Sequence, residues 1–412
     1  MPTNSIAASA AGAKMADLPP PLMTSEPESF ARQTIVERKP QIIARVIGDN
    51  GYPATVVAAL TTFRDEIVRD GTAGRTVQPL REQQGDAGSW NVAWAPFEEC
   101  TWLELPWYFA ETYFYRRLLE AVRYFQPGPW FQHDPFGLQK RAQETLAVEQ
   151  LGAIWPKVSG GGPTERLVAL LHGCLWGNRA DLSNFTVREQ AIGNAAADRA
   201  NILIDHTPEV SALLAQGLDR VVFVNDNVGA DSLFDLALTD HLLKEKRAKQ
   251  VTFHLKSQPF FVSDALPQDI DLMIDRLSAC PTPHLAALGE RLRRARTLGA
   301  LTLATHPFWT SSLGFRHLPT ELTDELGLAD LVILKGDVNY RRLLDDRHWP
   351  PATPLGAITD FFPKPYLILR TLKGEIITGL CPGQAHALQT VDPTWLINGR
   401  RGLVQFIAAT DG

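Results

Sequence analysis

The sequence predicts a chain that is mainly helical in its first half and α/β, with a parallel sheet, in its second half. Up to about residue 176, apolar residues recur at the three- and four-residue spacing of amphipathic helices. After residue 215, short apolar runs rich in β-branched residues alternate with helical segments, which is typical of buried parallel strands joined by crossover helices. No repeat of about 20–50 residues is present, so a solenoid or propeller is not expected.

The first 30 residues are predicted to form a disordered tail. They contain three consecutive prolines at 19–21 and many small side chains, a composition that buries too little apolar surface to offset the entropy of ordering. Residues 1–15 are rich in Ala and Ser but have neither an apolar core nor the basic residues of a targeting signal. We therefore expect folded structure to begin near residue 31.

Residues 31–200 are predicted to form a mainly helical domain. Helical spacing begins with Ile42, Ile43 and Val46. Pro106 suits the first turn of a later helix, whose aromatic residues form one stripe. A glycine- and proline-rich stretch at 159–163 separates the last two helices. The further predicted helical segments are 56–68, 106–125, 138–152 and 164–176.

Residues 201–412 are predicted to form an α/β domain. Four short apolar runs have the composition of fully buried strands. The segment 230–246, between the first two runs, is predicted to be the crossover helix of a right-handed βαβ unit. The four runs are 220–224, 250–255, 331–334 and 366–369.

The composition excludes several classes of protein. With 412 residues, 45% of them hydrophobic and 21% charged, the chain is an ordinary globular protein. Forty Lys and Arg against 46 Asp and Glu leave a net charge of −6, so no basic excess favours a nucleic acid or an anionic membrane as partner. No stretch is apolar enough to cross a bilayer. The four cysteines form no CxxC pair or zinc-spaced cluster, which predicts a reducing, cytoplasmic location.

Polar residues follow the carboxyl end of each predicted strand. They are residues 225–227, then Lys256 and Asp264, then residues 335–337, and finally residues 370–373. Ligands of parallel α/β sheets bind at this edge, so we expect these groups to face one crevice. Carboxylate and amide oxygens suit magnesium or manganese, and nearby cations suit a phosphate ester. Such residues are also common loop formers and helix caps, so the pattern alone leaves both interpretations open.

Seven motifs occur in order along the chain. They are PWYFAETYFYRR (106–117), LWGNRADLS (175–183), VNDNVGADSLFDLALTDHLL (224–243), FHLKSQPFFVSD (253–264), THPFWT (305–310), LKGDVNYRRLLDDRHW (334–349) and RTLKGEIITGLCPGQA (370–385). Together they resemble the damage-control phosphatases over nearly the whole chain after the tail. The RTxK element at 370–373 is similar to that of subfamily III, which includes sugar-phosphate phosphatases.

The resemblance implies a helical domain packed on a Rossmann-like three-layer α/β/α domain with a mainly parallel sheet. It also implies a divalent cation (Mn, Co, Ni or Mg) held by Asp226, Asn227 and Asp264, with Asp226 and Asp264 as the catalytic residues. The phosphate of a small phosphorylated metabolite is placed near Lys335. The other residues implied to bind substrate are Asn178, Asp231, Asp337, Asn339, Tyr340, Arg341 and Lys373.

One position departs from the pattern of the family. Relatives usually have glutamate where this chain has Asp231, whose side chain is one methylene shorter. A contact made by the longer side chain is either lost or bridged by water, which affects substrate preference more than metal binding. Glu111 and Arg116, on the aromatic helix, are weaker candidates for the site.

Three functions are compared. The leading hypothesis is metal-dependent hydrolysis of a small phosphomonoester, with sugar phosphates such as fructose 1-phosphate as the favoured class; either an aspartate or a water molecule is the nucleophile. The second is an S-adenosylmethionine-dependent protein carboxyl O-methyltransferase, which the absence of a GxGxG loop disfavours. The third is a non-catalytic sugar-phosphate sensor, which the complete set of predicted metal ligands disfavours.

Overall fold

The first half of the computed structural model is helical, as the sequence predicts. The structure describes residues 18–69, 72–177, 199–363 and 365–409. A π-helical turn, Thr34–Arg38, joins the first two helices, and a small hairpin of strands β1 (Val68–Arg69) and β2 (Thr72–Ala73) follows the third. The helices are α1 (Phe30–Gln33), α2 (Lys39–Asn50), α3 (Ala54–Ile67), α4 (Ala87–Trp94), α5 (Trp107–Ala121), α6 (Gly137–Val158) and α7 (Pro163–Trp176).

The second half contains a seven-stranded sheet. Its strands are β3 (Ile202–Asp205), β4 (Leu218–Val224), β5 (Ala248–Leu255), β6 (Leu301–Thr305), β7 (Leu331–Lys335), β8 (Tyr366–Thr371) and β9 (Gly402–Ile407). Their spatial order is β3-β9-β8-β7-β4-β5-β6. Strand β9 pairs antiparallel with β8, and every other pair in the sheet is parallel. The sheet is therefore mainly parallel, and β4 lies at its centre.

Helices cover both faces of the sheet. They are α8 (Thr207–Ala215), α9 (Ala230–Lys244), α10 (Pro267–Ser278), α11 (Pro283–Thr297), α12 (Thr320–Gly327), α13 (Gly336–Leu343), α14 (Leu355–Ile358) and α15 (Gln384–Val391). Side chains of a strand alternate between faces. Val221 and Phe223 accordingly pack with α7 and α9, whereas Val222 and Val224 pack with α12 to α14. This arrangement confirms the three-layer α/β/α fold.

The helical half divides its packing between two cores. Helices α2 to α5 form a core of their own, which also contains Phe260, Phe261 and Val262 from the loop after β5. Helices α6 and α7 instead pack in the same core as the sheet, through side chains such as Leu151 and Leu171. The domain limit at residue 200 stays a prediction.

The predicted disordered tail is wrong for residues 18–30. The backbone N–H of Leu22 donates to the carbonyl of Asp346 (2.9 Å), and that of Thr24 donates to the carbonyl of Leu105 (2.9 Å). The side chains of Leu22 and Thr24 are buried. Pairing with two distant loops stabilises a segment whose own composition is too polar and proline-rich to fold alone.

All four strands predicted from the sequence are present, and the predicted crossover helix 230–246 forms α9, which ends two residues earlier, at Lys244. The sequence analysis missed β3, β6 and β9. These three strands are short, and β6 is exposed or half-exposed at four of its five positions, so it lacks the continuous apolar pattern of the central strands. None of the helices described here is long and apolar enough to cross a membrane.

Candidate active site

Two loops at the carboxyl end of the sheet bring the three predicted metal ligands together. Asp226 and Asn227 follow β4, and Asp264 lies in the loop after the neighbouring strand β5. The two loops pair as a short antiparallel bridge between Asn227 and Asp264, and the N–H of Ala265 donates to the carbonyl of Asp226 (2.9 Å). The sheet topology and this bridge place the two carboxylates and the amide side by side.

The three side chains are buried and linked by polar contacts. Asn227 Nδ2 donates to Asp226 Oδ2 (2.7 Å), and Ser263 Oγ donates to Asn227 Oδ1. Lys256 Nζ lies 3.2 Å from Asp264 Oδ2. Burial raises the pKa of Asp226 well above its usual range, and the carboxylates of Asp264 and Asp231 raise it further. A cation between these groups would relieve that repulsion.

Gly336 leaves the space that Asp226 occupies. It begins α13 with φ of +80°, a left-handed conformation that glycine adopts without strain. A Cβ atom at this position would lie 1.8 Å from Asp226 Oδ2. The KGD segment and the Asp-Asn segment are therefore in direct steric contact.

Lys335 lies inside the protein rather than at a substrate-binding surface. Its Nζ donates to Asp231 Oδ1 (2.7 Å), Asp235 Oδ1 (2.6 Å) and the carbonyl of Cys174 (2.7 Å), which uses all three of its protons. The side chain is 0% exposed. The ammonium is therefore saturated by protein groups in this structure, and the predicted proximity of Lys335 to phosphate stays a prediction.

Asp231 connects this buried lysine to the loop of the predicted metal ligands. Its Oδ1 accepts from Lys335, and its Oδ2 accepts from the backbone N–H of Asn227 (3.2 Å). Asp235, which also accepts from Asn225 Nδ2 (3.0 Å), has its pKa raised to about 6, chiefly by burial. Although burial opposes its charge, the two carboxylates raise the pKa of Lys335 above its usual value. Lys335 and Asp231 thus position the Asp226–Asn227 loop.

The RTxK element holds Asp337. Arg370 Nε donates to Asp337 Oδ1 (2.7 Å), and the backbone N–H of Lys373 donates to the same oxygen (3.2 Å). Arg370 also stacks on the ring of Tyr340, with its Cζ 4.1 Å from the ring centroid. The arginine of the motif is structural, and it fixes both Asp337 and Lys373 at the edge of the site.

Arg341 forms a wall of the site with the aromatic helix α5. Its Nε and Nη2 donate to Asp346 (2.7 and 2.8 Å), and its Nη1 donates to Glu111 Oε2. Its Cζ lies 3.5 Å from the centroid of the Trp107 ring. Lys39 Nζ also contacts Glu111, at 3.0 Å. Although burial opposes ionisation, Lys39 and Arg341 lower the pKa of Glu111 to about 2.

Asn339 and Tyr340 stabilise the loops from behind. Asn339 Nδ2 donates to the carbonyls of Lys335 (2.8 Å) and Val224 (3.2 Å), and the hydroxyl of Tyr340 accepts from the N–H of Thr378 (3.0 Å). Both are buried away from the cavity. Neither lines the cavity formed by the predicted metal ligands, and their predicted contact with substrate stays a prediction.

Six of the predicted site residues line one cavity. They are Asp226, Asn227, Asp264, Asp337, Arg341 and Lys373. The weaker candidate Glu111 also lines it, whereas Arg116 pairs with Glu82 and Asp86 in the helical region. Asn178 lies outside the described residues.

Sequence reasoning missed five residues of the cavity lining. They are Phe30, Arg38, Trp107, Phe261 and Val338. Phe261 belongs to the FHLKSQPFFVSD motif, and Trp107 to the aromatic helix, so both motifs contained a signal that was not used. The N-terminal pair, Phe30 and Arg38, belongs to no motif. Phe30 packs on Trp107 and its N–H donates to Glu375, and both of these residues are distant in sequence.

The chemistry of the cavity fits a hard divalent cation. Asp226, Asp264 and the amide of Asn227 supply oxygen donors, which such ions prefer, and the two carboxylates supply the negative charge. No group of three or more His, Cys, Asp or Glu side chains in the described ranges has the arrangement of a metal site. The candidate centre therefore depends on the amide of Asn227 as its third ligand.

Comparison with known proteins gives the family. A family model described as the damage-control phosphatase ARMT1-like domain matches residues 34–388. Damage-control phosphatase ARMT1 of Mus musculus is 31% identical to this chain, and the match covers 95% of this chain and 99% of the mouse protein. The Homo sapiens protein of the same name is 29% identical over the same shares. A crystal structure of a DUF89 family protein from Pyrococcus horikoshii matches with 13% identity and a TM-score of 0.47, over 91% of this chain and 97% of that one. The chain belongs to the damage-control phosphatase family.

Proposed function

We propose that this protein is a metal-dependent phosphatase of small phosphomonoesters, with sugar phosphates such as fructose 1-phosphate as the favoured class. The observation that carries the proposal is the convergence of Asp226, Asn227 and Asp264 with Lys373 on one cavity. The name that the relatives share, damage-control phosphatase, supports the reaction class.

The charge of the cavity lining supports the need for a metal. Its charged side chains are four carboxylates and three cations: Glu111, Asp226, Asp264, Asp337, Arg38, Arg341 and Lys373. With all seven of these groups ionised, the lining alone is net negative and repels a phosphate dianion. A bound divalent cation would make it net positive, so that the metal and the phosphoryl group would be attracted together.

The residues of the chain have separate tasks in the proposed reaction. Asp226, Asn227 and Asp264 would hold the cation, which when bound would polarise the phosphoryl group and stabilise charge on its oxygens. Lys373 would neutralise negative charge that develops on the leaving side, and Asp337 orients its backbone. Burial of the site limits competing water and strengthens each of these interactions.

The test is phosphate release from a panel of sugar phosphates, by protein stripped with chelator and resupplied with magnesium, manganese, cobalt or nickel. Asp226→Ala and Asp264→Asn should each lose most of the turnover, because either change removes a charged ligand. The matched control is Asp219→Asn, an exposed aspartate at the start of β4. It should retain full activity.

Three outcomes would contradict the proposal. The first is turnover that persists without metal, and the second is near-normal turnover by Asp264→Asn. The third is that folded, metal-loaded protein releases no phosphate from any sugar phosphate of the panel. That result would favour the methyltransferase or the sensor.

A further inference from the structure

The cavity of the candidate active site is too small for a sugar phosphate in this structure. Its volume is about 50 Å³. Sites that bind small molecules measure about 300–1,000 Å³, and about 10–15 Å³ holds one water molecule. The cavity therefore has room for a cation and a few water molecules, and one of its walls must move before the proposed substrate can bind.

We propose that residues 25–33, which we call the lid, open to admit the substrate. The π-helical turn Thr34–Arg38 is the hinge of this lid, and Glu375 is its latch. The proposal rests on the proposed phosphatase function and deepens it, because it assigns the path by which a phosphomonoester enters that site.

The lid forms the side of the cavity that lies nearest the surface. Of the twelve described residues that line the cavity, nine are buried, and Phe30, Arg38 and Val338 are half-buried. Phe30 belongs to the lid, and Arg38 ends the π-helical turn. The cavity is therefore closest to solvent where the N-terminal segment covers it.

Buried contacts fix the other walls. The loops of the predicted metal ligands pair through the bridge between Asn227 and Asp264. Arg341 is bonded to Glu111 of α5 and to Asp346, and all three side chains are buried. Moving either wall would break contacts inside the protein, so the lid is the wall that can move at the lowest cost.

The lid has the local properties of a segment that opens. It begins after Thr24, whose N–H is bonded to a neighbouring loop, and it ends at the π-helical turn, an irregularity that is frequent at functional sites. Between these ends, Ser25, Pro27 and Glu28 are exposed. Glu28 has φ of 58°, a left-handed conformation that strains a residue with a Cβ atom. Opening relieves this strain.

Glu375 holds the lid closed. Its Oε1 accepts from the N–H of Phe30 (3.0 Å), and its Oε2 accepts from the N–H of Ala31 (3.3 Å). These are the first two N–H groups of α1, which have no acceptor within the helix itself. Because the acceptor is a carboxylate, both bonds are charge-assisted. Breaking them is the step that frees the start of α1.

The latch belongs to the loop that carries Lys373. Arg370 fixes this loop by donating to the carbonyls of Gly374 (3.2 Å) and Ile376 (2.6 Å), on either side of Glu375. One fixed loop therefore presents Lys373 to the cavity and Glu375 to the lid. Glu375 is a positioning residue, which acts on the site through the lid.

Hydrogen exchange of the full chain, followed by mass spectrometry, tests the latch. Glu375→Ala should speed exchange in residues 25–33 by about 10-fold, the population change expected when a charge-assisted hydrogen bond is lost, and should leave β7 and β8 unchanged. Glu375→Gln keeps one acceptor oxygen, so it should show part of this increase. The matched control is Glu165→Ala, because Glu165 also accepts from a backbone N–H at the start of a helix, that of Gly162, outside the cavity lining. It should leave exchange in the lid unchanged.

Binding kinetics test entry into the site. The probe is phenylphosphonate, an analogue of a phosphomonoester that cannot be hydrolysed, and its association with the manganese-loaded full chain is measured by stopped flow. Association is slowed by the fraction of molecules whose lid is closed. Glu375→Ala should therefore raise the association rate constant by about 10-fold, and Glu165→Ala should not change it.

The outcomes separate this inference from the proposed function. Unchanged exchange in residues 25–33 of Glu375→Ala would overturn the latch, and so would an equal rise in β7 and β8, which indicates general destabilisation. Unchanged association of phenylphosphonate, in a protein that hydrolyses phosphomonoesters, would overturn the lid and leave the phosphatase standing. If the wild type binds no phenylphosphonate, the proposed phosphatase fails, and hydrogen exchange alone decides whether residues 25–33 open. Unfolding in urea checks each variant, and Glu375→Gln serves if the alanine variant does not fold.

Discussion

Replacing Gly336 by alanine tests the geometry of the site with a single methyl group. The new Cβ would lie 1.8 Å from Asp226 Oδ2, and contacts under 3.0 Å essentially never occur. The carboxylate oxygen must therefore move by about 1.2 Å, the difference between these two distances. Metal sites tolerate about 0.2 Å in ligand distance, and a misplacement of about 1 Å can cost about 100-fold in rate.

The backbone of Gly336 adds a second cost, which a control variant isolates. Its φ of +80° strains any residue with a Cβ, by about 1–2 kcal/mol. Gly383 has the same φ of +80°, but a Cβ there would meet nothing within 4 Å. Gly383→Ala therefore measures the backbone strain alone. The difference between the two variants is the effect of displacing Asp226.

Urea unfolding, manganese affinity and phosphate release, measured on both variants, test whether displacement of Asp226 impairs the site. We expect Gly383→Ala to lose about 1–2 kcal/mol of unfolding free energy in urea while it retains manganese affinity and phosphate release. Gly336→Ala should lose at least as much stability, at least about 10-fold in manganese affinity and about 100-fold in turnover. Wild-type manganese affinity and turnover in folded Gly336→Ala would refute both the predicted contact and the role of Asp226.

Three further predictions concern charge. Lys335→Met should cost about 3–5 kcal/mol of unfolding free energy, because it leaves Asp231 and Asp235 buried without their cation. Urea unfolding measures this loss, with Lys249→Met, at an exposed lysine, as the control. Equal stability of the two variants would contradict the prediction. Burial raises the pKa of Glu144 to about 7, so its ionised form destabilises the fold above that pH and the cost fades as the pH drops. Glu144→Gln should therefore raise the free energy of unfolding by about 1–3 kcal/mol at pH 8 and leave it unchanged near pH 4. If urea unfolding shows the same increase at both pH values, ionisation of Glu144 is not its cause. Manganese at about 100 times its dissociation constant should stabilise the folded wild type by about 2.7 kcal/mol, which is measured as a rise in Tm. An equal rise in Asp226→Asn would show that the ion binds elsewhere.

The central strands and the meeting of Asp226 and Asp264 at one edge of the sheet were predictable from the sequence because each depends on local pattern. Strand β8, for example, is buried at all six positions, and its apolar run 366–369 gave a clear signal. Asp226 and Asp264 each follow such a strand, and the parallel topology brings the ends of β4 and β5 together.

The cavity wall was not predictable, because it depends on contacts between distant segments. Phe30 is anchored by Glu375, 345 residues away, and Leu22 by the carbonyl of Asp346. The composition of residues 18–30 favours disorder, and only backbone pairing with other loops overcomes it. Arg38 reaches the site through a π-helical turn, which no periodicity argument based on the α-helix predicts.

The direction of the Lys335 side chain follows from the alternation of side chains along β7. Side chains alternate along a strand, and in β7 Leu331 and Ile333 face α7 and α9 whereas Val332 and Leu334 face the opposite layer. Lys335 continues the first series, so its side chain must turn toward α7 and α9, where Cys174 and Asp231 lie.

The same alternation holds in β4 and explains how Lys335 affects the Asp226–Asn227 loop. Val221 and Phe223 face α9, and Asn225 continues this series to donate to Asp235 on that helix. Lys335 of β7 and Asn225 after β4 thus both point into the helix layer that contains α7 and α9. Asp231, on α9, links this layer to the metal-ligand loop by accepting from the N–H of Asn227. Loss of activity on replacing Lys335 is therefore expected through movement of the metal-ligand loop. Such a loss should come with a fall in stability and in metal affinity, whereas removing the proposed phosphate contact of Lys373 should cause neither.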